Sequence, residues 1–154
     1  MFEYRQAEEL RDALNRESAQ FLFIGKSGAI LLGYPDTTQD ADIFPLKSKE
    51  NGSAIVRALR SIGFNLTDEE AEQVHHGKDF IQLKHGPFDL DLIFAPDGIE
   101  RFEDAWQRRV EVQGFTVCCI DDIIASKRAA NREKDRESLR RLESFRDYLR
   151  QHRP

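Results

Sequence analysis

Apolar and polar residues alternate along this chain with two different periods, and the changes of period mark the predicted elements. Residues 4–18 repeat apolar positions at helical spacing, with Leu10 and Leu14 on one face. Residues 20–24 are almost entirely apolar and end at Gly25, which is typical of a short buried strand. The chain is therefore predicted to begin with a helix that is followed by a strand.

The same patterns predict the remaining elements. In chain order they are a helix over 27–33, a strand over 40–45, a helix capped between Asn51 and Ser53 and ending at Gly63, two strands over 79–84 and 87–94 joined as a hairpin around Gly86-Pro87, a helix over 99–107, a strand over 114–120, and helices over about 121–132 and 135–150. Helices mixed with strands, one hairpin among them, favour an α+β (mixed α/β) fold with a small mixed sheet over a doubly wound one.

The length of 154 residues suits one domain, with C-terminal helices over about 121–150. No apolar run approaches the ~20 residues of a membrane span, and the polar, acidic N-terminus predicts that there is no signal peptide. Cys118 and Cys119 are adjacent and would point to opposite faces of a strand, so a disulfide between them is disfavoured. We predict reduced thiols in a cytoplasmic protein with no membrane contact.

Charge is unevenly distributed along the chain. From residue 127 to the end, ten lysines and arginines stand against five aspartates and glutamates, although the whole chain has a net charge of −5. Such a basic end is consistent with a polyanion-binding face and equally with a solvated helix of mixed charge.

The sequence Asp40-Ala41-Asp42 is the main candidate for chemistry. In a strand, residues two apart point to the same face, so both carboxylates would aim at one point. Two neighbouring anions repel each other unless a cation lies between them, and a hard divalent ion such as Mg²⁺ or Mn²⁺ prefers carboxylate ligands. The alternative is a surface turn rich in Thr and Asp, but the apolar Ile43-Phe44 that follows favours a strand.

A third carboxylate is predicted from the second strand of the hairpin. There Asp89 and Asp91 alternate with leucines and share one face. We predict that Asp91 completes the metal site and that Asp89 is a supporting or solvent-facing acid. A cluster of this kind is what two-metal phosphoryl transfer requires.

These motifs occur in an order that is found in a known family. The chain has a strand ending in glycine, a short helix, a Gly-x-Pro turn, a threonine, the Asp-x-Asp pair, a further Asp on an apolar strand, and a late segment with Lys and a Lys-Asp pair, here Gly25, Gly33, Pro35, Thr38, Asp40, Asp42, Asp91, Lys127 and Lys134-Asp135. Over roughly residues 20–145 it resembles the nucleotidyltransferase superfamily with the DNA polymerase beta-like fold. Within that superfamily it is most similar to the bacterial abortive-infection, type IV toxin-like enzymes.

The resemblance implies transfer of a nucleoside monophosphate from a nucleoside triphosphate to a hydroxyl group. The acceptor would be RNA, such as a tRNA end, or a protein side chain, and the role would be toxin-like, with a cognate antitoxin. The implied metal ligands and catalytic residues are Asp40, Asp42 and Asp91, and the implied nucleotide-binding residues are Gly25, Lys26, Ser27 and Lys127.

Two residues depart from the family pattern. Lys26 stands where the family has a second glycine, and Asp36 stands where a basic residue is frequent. The alternative is therefore a catalytically degenerate nucleotide- or RNA-binding protein of the same fold. A P-loop is excluded, because that motif needs a glycine at position 20, which is Gln20.

Lys127 is a further candidate for contact with phosphate. On a continuous helix, Lys127, Asn131 and Lys134 would share a face. A lysine there would neutralise charge on the departing pyrophosphate, and a solvated lysine is the alternative. Asp135 is as consistent with a helix N-cap as with a site residue, and His75-His76 with solvated or capping side chains rather than zinc ligands.

Overall fold

Helices and strands alternate through most of the chain. The computed structural model describes residues 1–130 and 135–152, and no helix in these ranges is long and apolar enough to cross a membrane. The helices are α1 (Tyr4–Arg16), α2 (Gly25–Leu31), α3 (Lys49–Ser61), α4 (Asp68–His76), α5 (Phe102–Gln107), α6 (Ile120–Ala130) and α7 (Asp135–Gln151). The strands are β1 (Phe21–Phe23), β2 (Asp40–Pro45), β3 (Phe80–Leu83), β4 (Asp89–Ile93), β5 (Val110–Val112) and β6 (Phe115–Val117).

The strands form one mixed sheet in the order β3-β4-β2-β1-β6-β5. The centre of the sheet holds two parallel pairs, β2 with β4 and β1 with β6, while β1 and β2 run antiparallel. The hairpin predicted around Gly86-Pro87 is confirmed as the antiparallel pair β3–β4. The strand that carries the Asp-x-Asp pair therefore lies in the interior of the sheet, beside the strand that carries Asp91.

The core explains why these segments are strands. On β2, Ala41 and Ile43 are completely buried, and on β4 the same holds for Leu90 and Leu92. Because strand residues alternate between faces, the aspartates between these apolar side chains point to the opposite face of the sheet. The helices pack in two groups, in which α3 contacts α1 and α4, and α6 contacts α2 and α7. Of these, α2 also packs on β2.

Three local predictions were wrong or incomplete. Helix α3 begins at Lys49 and is capped by Ser48, whose side chain accepts a hydrogen bond from the Asn51 N–H, and not by a residue between Asn51 and Ser53. Helix α4 and strand β5 were not predicted. The predicted strand over 114–120 ends at Val117, so Cys118 and Cys119 follow it, and neither forms a disulfide.

Asn51 has a structural role that a capping residue would not have. Its side-chain amide donates to the carbonyls of Gln20 (2.9 Å) and Leu46 (2.7 Å), and its carbonyl accepts from the Gln20 N–H (2.8 Å). The side chain thereby joins α3 to the residue before β1 and to the residue after β2, and it is only 7 % exposed. Burial with all three hydrogen bonds made is how a polar group contributes stability inside a protein.

We expect Asn51→Ala to lower the free energy of unfolding by about 2–3 kcal/mol, because the part-buried Gln20 N–H and Leu46 carbonyl both lose the partner that the Asn51 side chain gives them. Urea denaturation measures the change. The matched control is Glu17→Gln, which removes a part-exposed ion pair with Arg57 (2.7 Å) and should cost less than about 1 kcal/mol. Equal losses in the two variants would contradict this role for Asn51.

Candidate active site

Strands β2 and β4 place four carboxylates on one face of the sheet. The parallel register sets Asp40 opposite Asp89 and Asp42 opposite Asp91. Neighbouring strands lie about 4.8 Å apart, so the side chains of each pair are adjacent. Asp91 is buried, at 9 % exposure, and the other three are partly exposed. The acids that the sequence placed on separate strands thus lie side by side.

The backbone of Asp42 is held in place from two sides. Its N–H donates to the Ser27 hydroxyl at 2.9 Å, and its carbonyl accepts from the Ile24 N–H at 3.0 Å. Ser27 is 2 % exposed, and its hydroxyl also lies 3.2 Å from the Ile24 carbonyl. The nucleotide contact expected of Ser27 stays a prediction. Its hydroxyl faces the backbone of Asp42, so we infer that it positions this carboxylate.

Gly25 leaves room for the carboxylate of Asp42. Its φ is +64°, and a Cβ at this position would lie 2.7 Å from Asp42 Oδ2. A side chain is therefore disfavoured twice, by the left-handed backbone and by the contact with Asp42. The position of Gly25 in the sequence motif is therefore explained by the Asp42 carboxylate, which leaves no room for a side chain there.

We expect Gly25→Ala to lower the rate of the nucleotidyl transfer predicted from the sequence about ten- to a hundredfold, because the new methyl group would push the Asp42 carboxylate out of its position. Steady-state kinetics measure the loss. Gly114→Ala is the matched control, since Gly114 also has a positive φ (+84°) but its Cβ would meet only the end of the Arg11 side chain. If both variants kept the full rate, the close contact with Asp42 would have no catalytic importance.

The pKa values of Asp42 and Asp91 are both raised, which is typical of neighbouring carboxylates without a bound cation. Burial raises the pKa of Asp42 to about 8, and the nearby charges of Asp91 and Asp40 add to this effect. Burial and the charge of Asp40 also raise the pKa of Asp91, while a hydrogen bond from Asp42 and the charge of Lys84 partly offset the rise. Asp42 and Asp91 are close enough to share a proton, so a cation that replaced this proton would relieve the repulsion.

The donor set suits a hard divalent cation in its chemistry, because Mg²⁺ binds through one or two carboxylates together with water and phosphate oxygens. Within residues 1–130 and 135–152, however, no group of three or more His, Cys, Asp or Glu side chains is arranged to hold a metal ion as it stands. The metal-ligand roles of Asp40, Asp42 and Asp91 therefore stay predictions.

The two departures from the family pattern meet in space. Lys26 Nζ lies 3.1 Å from Asp36 Oδ2, and Arg141 on α7 reaches the same oxygen at 3.6 Å. The hydrogen bond from the Thr37 N–H, together with Lys26, holds the pKa of Asp36 below its usual range. Lys26 and Asp36 thus neutralise each other, which the sequence alone did not reveal.

Lys127 lies half-buried on α6, the helix that packs against α2. Ile123, one turn earlier on α6, approaches within 3.4 Å of where a Cβ on Gly28 would be. The contact with phosphate that is expected of Lys127 stays a prediction. Asn131, Lys134 and the side chain of Asp135 lie outside the described residues.

Sequence reasoning missed two charged residues of this region. The charge of Lys84 lowers the pKa of Asp91 across the β3–β4 hairpin. The predicted hairpin could have indicated this contact, because Lys84 directly follows Leu83, the residue paired with Leu90. Arg141 had no such signal, since its contact with Asp36 depends on how α7 docks.

Comparison with known proteins bears on the fold. No protein-family model matches the chain, and no curated protein matches it. Among solved structures that match is the crystal structure of a putative nucleotidyltransferase from Thermotoga maritima, with a TM-score of 0.52 and 17 % sequence identity. The match covers 96 % of this chain and 92 % of that one. The predicted mixed α/β, nucleotidyltransferase-like fold is thereby confirmed, while the narrower likeness to toxin-like enzymes stays a prediction.

Proposed function

We propose that this protein is a metal-dependent nucleotidyltransferase that transfers a nucleoside monophosphate from a nucleoside triphosphate to a hydroxyl acceptor. The observation that carries the proposal is the register of β2 and β4, which sets Asp42 directly beside Asp91 next to Gly25. Shared carboxylates with raised pKa values are typical of sites that stabilise charge during phosphoryl transfer. The fold shared with the Thermotoga protein agrees with this chemistry.

In this proposal Asp40, Asp42 and Asp91 hold Mg²⁺ or Mn²⁺. The ion, when bound, supplies positive charge to the phosphates and to the attacking oxygen. The acceptor oxygen forms a bond to the α-phosphorus, the bond from that phosphorus to the bridging oxygen breaks, and pyrophosphate leaves with the bonding electrons. Asp91 would help to deprotonate the acceptor hydroxyl through the ion that it holds, because a bound cation lowers the pKa of a hydroxyl beside it.

The acceptor and biological role follow only from the resemblance seen in the sequence. We propose RNA, such as a tRNA end, or a protein side chain as acceptor, and a toxin-like role with a cognate antitoxin. Gly25, Lys26 and Lys127 would contact the nucleotide, with Ser27 supporting Asp42.

The second candidate is a degenerate nucleotide- or RNA-binding protein of the same fold. It is favoured by the ion pair between Lys26 and Asp36, which engages a cation at the expected phosphate site. The two candidates differ in turnover and not in binding.

The test is incubation with each α-labelled nucleoside triphosphate, magnesium or manganese, and either total cellular RNA or a protein extract. We expect metal-dependent transfer of label to one class of acceptor. Binding of nucleotide without transfer to any acceptor would favour the degenerate protein. Transfer that persists undiminished in Asp91→Asn would reject the site assignment.

A further inference from the structure

A cleft lies between the loop that follows α2 and the helix α7. Its walls include Tyr34 and Pro35 from the loop, and Arg141, Phe145 and Tyr148 from α7. We refer to it as the aromatic cleft. Its volume of about 530 Å³ lies within the range of small-molecule sites.

The aromatic side chains of this cleft differ in their packing. Tyr34 is 5 % exposed and makes an edge contact with Phe145, with ring centroids 5.6 Å apart, so this pair forms a fixed wall. Tyr148 is 53 % exposed and stacks on His152 at 4.1 Å. A large exposed ring at the rim of a cleft offers a flat surface on which a nucleobase can stack.

Two cations converge on one anion at the edge of the aromatic cleft. The carboxylate of Asp36 is shared by Lys26 and Arg141, and the guanidinium of Arg141 also lies 5.5 Å from the centre of the Tyr34 ring. All three charged groups are accessible to solvent. A phosphate group carries more negative charge than a carboxylate and accepts two hydrogen bonds from an arginine, so it can compete with Asp36 for both cations.

One of the two cations, Lys26, also links this edge of the aromatic cleft to the carboxylates through its neighbour in the chain. Lys26 directly follows Gly25, whose backbone lies against Asp42. A ligand with a flat aromatic ring and a phosphate would therefore match the cleft at one end and the cation pair at the other. A nucleotide has both parts.

We propose that the aromatic cleft binds a nucleotide, with its base on Tyr148 and a phosphate that displaces Asp36 from Lys26 and Arg141. This inference rests on the proposed function and names a substrate subsite for it. Asp36 acts as an internal competitor that occupies the cations until the nucleotide arrives. The nucleotide is either the free triphosphate or a nucleotide of an acceptor RNA, which share this chemistry.

The test compares ligand affinities by isothermal titration calorimetry in the presence of magnesium. The ligands are each of the four nucleoside triphosphates, inorganic triphosphate, and a single-stranded oligoribonucleotide with a 3′-hydroxyl. We expect Asp36→Asn to tighten nucleotide binding about fivefold, because it removes the two part-exposed ion pairs that compete with the phosphate. We expect Tyr148→Ala to weaken it about tenfold and Tyr148→Phe to leave it unchanged, since phenylalanine keeps the stacking surface.

Glu17→Gln is the control, because it breaks an ion pair of similar exposure between α1 and α3 and should change no affinity. Inorganic triphosphate should respond to Asp36→Asn and not to Tyr148→Ala, since it has no base. If only the free triphosphates respond to both substitutions, they occupy the aromatic cleft; if only the oligoribonucleotide does, the acceptor occupies it. Both results support the inference.

Nucleotide affinities that change with neither Asp36→Asn nor Tyr148→Ala would overturn the inference, and transfer activity in the same preparations would leave the proposed function standing. Affinities that change as expected in a protein without transfer activity would support the aromatic cleft and reject the enzyme. Circular dichroism of each variant shows that it is folded.

Discussion

Replacing Asp42 with asparagine is expected to abolish nucleotidyl transfer and at the same time to stabilise the metal-free protein. The loss of transfer should be on the order of a thousandfold or more, because Asp42 is proposed to hold a cation that would stabilise the transition-state charge by several kcal/mol. The gain in stability has a separate cause. The raised pKa of Asp42 means that folding without a metal forces a proton onto a group that is ionised in the unfolded chain, whereas asparagine carries no charge and its amide can still donate to Asp91.

Two measurements on one variant check this prediction. Transfer of label from an α-labelled triphosphate measures the rate, and thermal unfolding in a chelator measures the stability. Asp89→Asn is the matched control, since Asp89 lies on the same face of β4 but pairs with Asp40. We expect it to keep the rate within about tenfold, as an acid that does not itself bind the ion. An Asp42→Asn protein that is less stable than the wild type would contradict this prediction.

The metal-free protein is expected to lose stability as the pH rises from about 4 to about 8, and magnesium is expected to restore it. The pKa of Asp42 is about 8 in the folded protein, above the ordinary value of 3.8 that applies to the unfolded chain. Between these values the folded state binds more protons than the unfolded state, so the free energy of unfolding falls with rising pH. This contribution is fully present below about pH 4 and is lost above about pH 8.

The size of this effect should be about 2 kcal/mol or more, after allowance for the sharing of one proton between Asp42 and Asp91. Thermal unfolding at several pH values, with chelator and with magnesium, measures it. Other groups also titrate in this range, and Asp42→Asn serves as the reference because it retains all of them. A wild type and an Asp42→Asn variant with the same pH dependence would show that Asp42 ionises normally.

Local patterns were sufficient for much of the fold. The strand over 40–45 and the helix over 4–18 were predicted correctly or nearly so, because alternation and helical spacing are properties of short segments. Helix α4 was missed although Thr67 and Glu70 form a capping box, since its few apolar residues gave a weak periodic signal. Strand β5 has only three residues and exists through its pairing with β6.

Which carboxylates share a face follows from the order of residues, since the pleat of a strand sets Asp40 with Asp42 and Asp89 with Asp91 whatever the strands pair with. Folding of the whole chain was needed to place Asp42 opposite Asp91, Ser27 against the backbone of Asp42, and Asp36 against Lys26 and Arg141. These contacts could not be predicted because they join segments that are far apart along the chain. Strand register and helix docking join segments far apart in sequence, and the burial of the whole core selects among the possible arrangements.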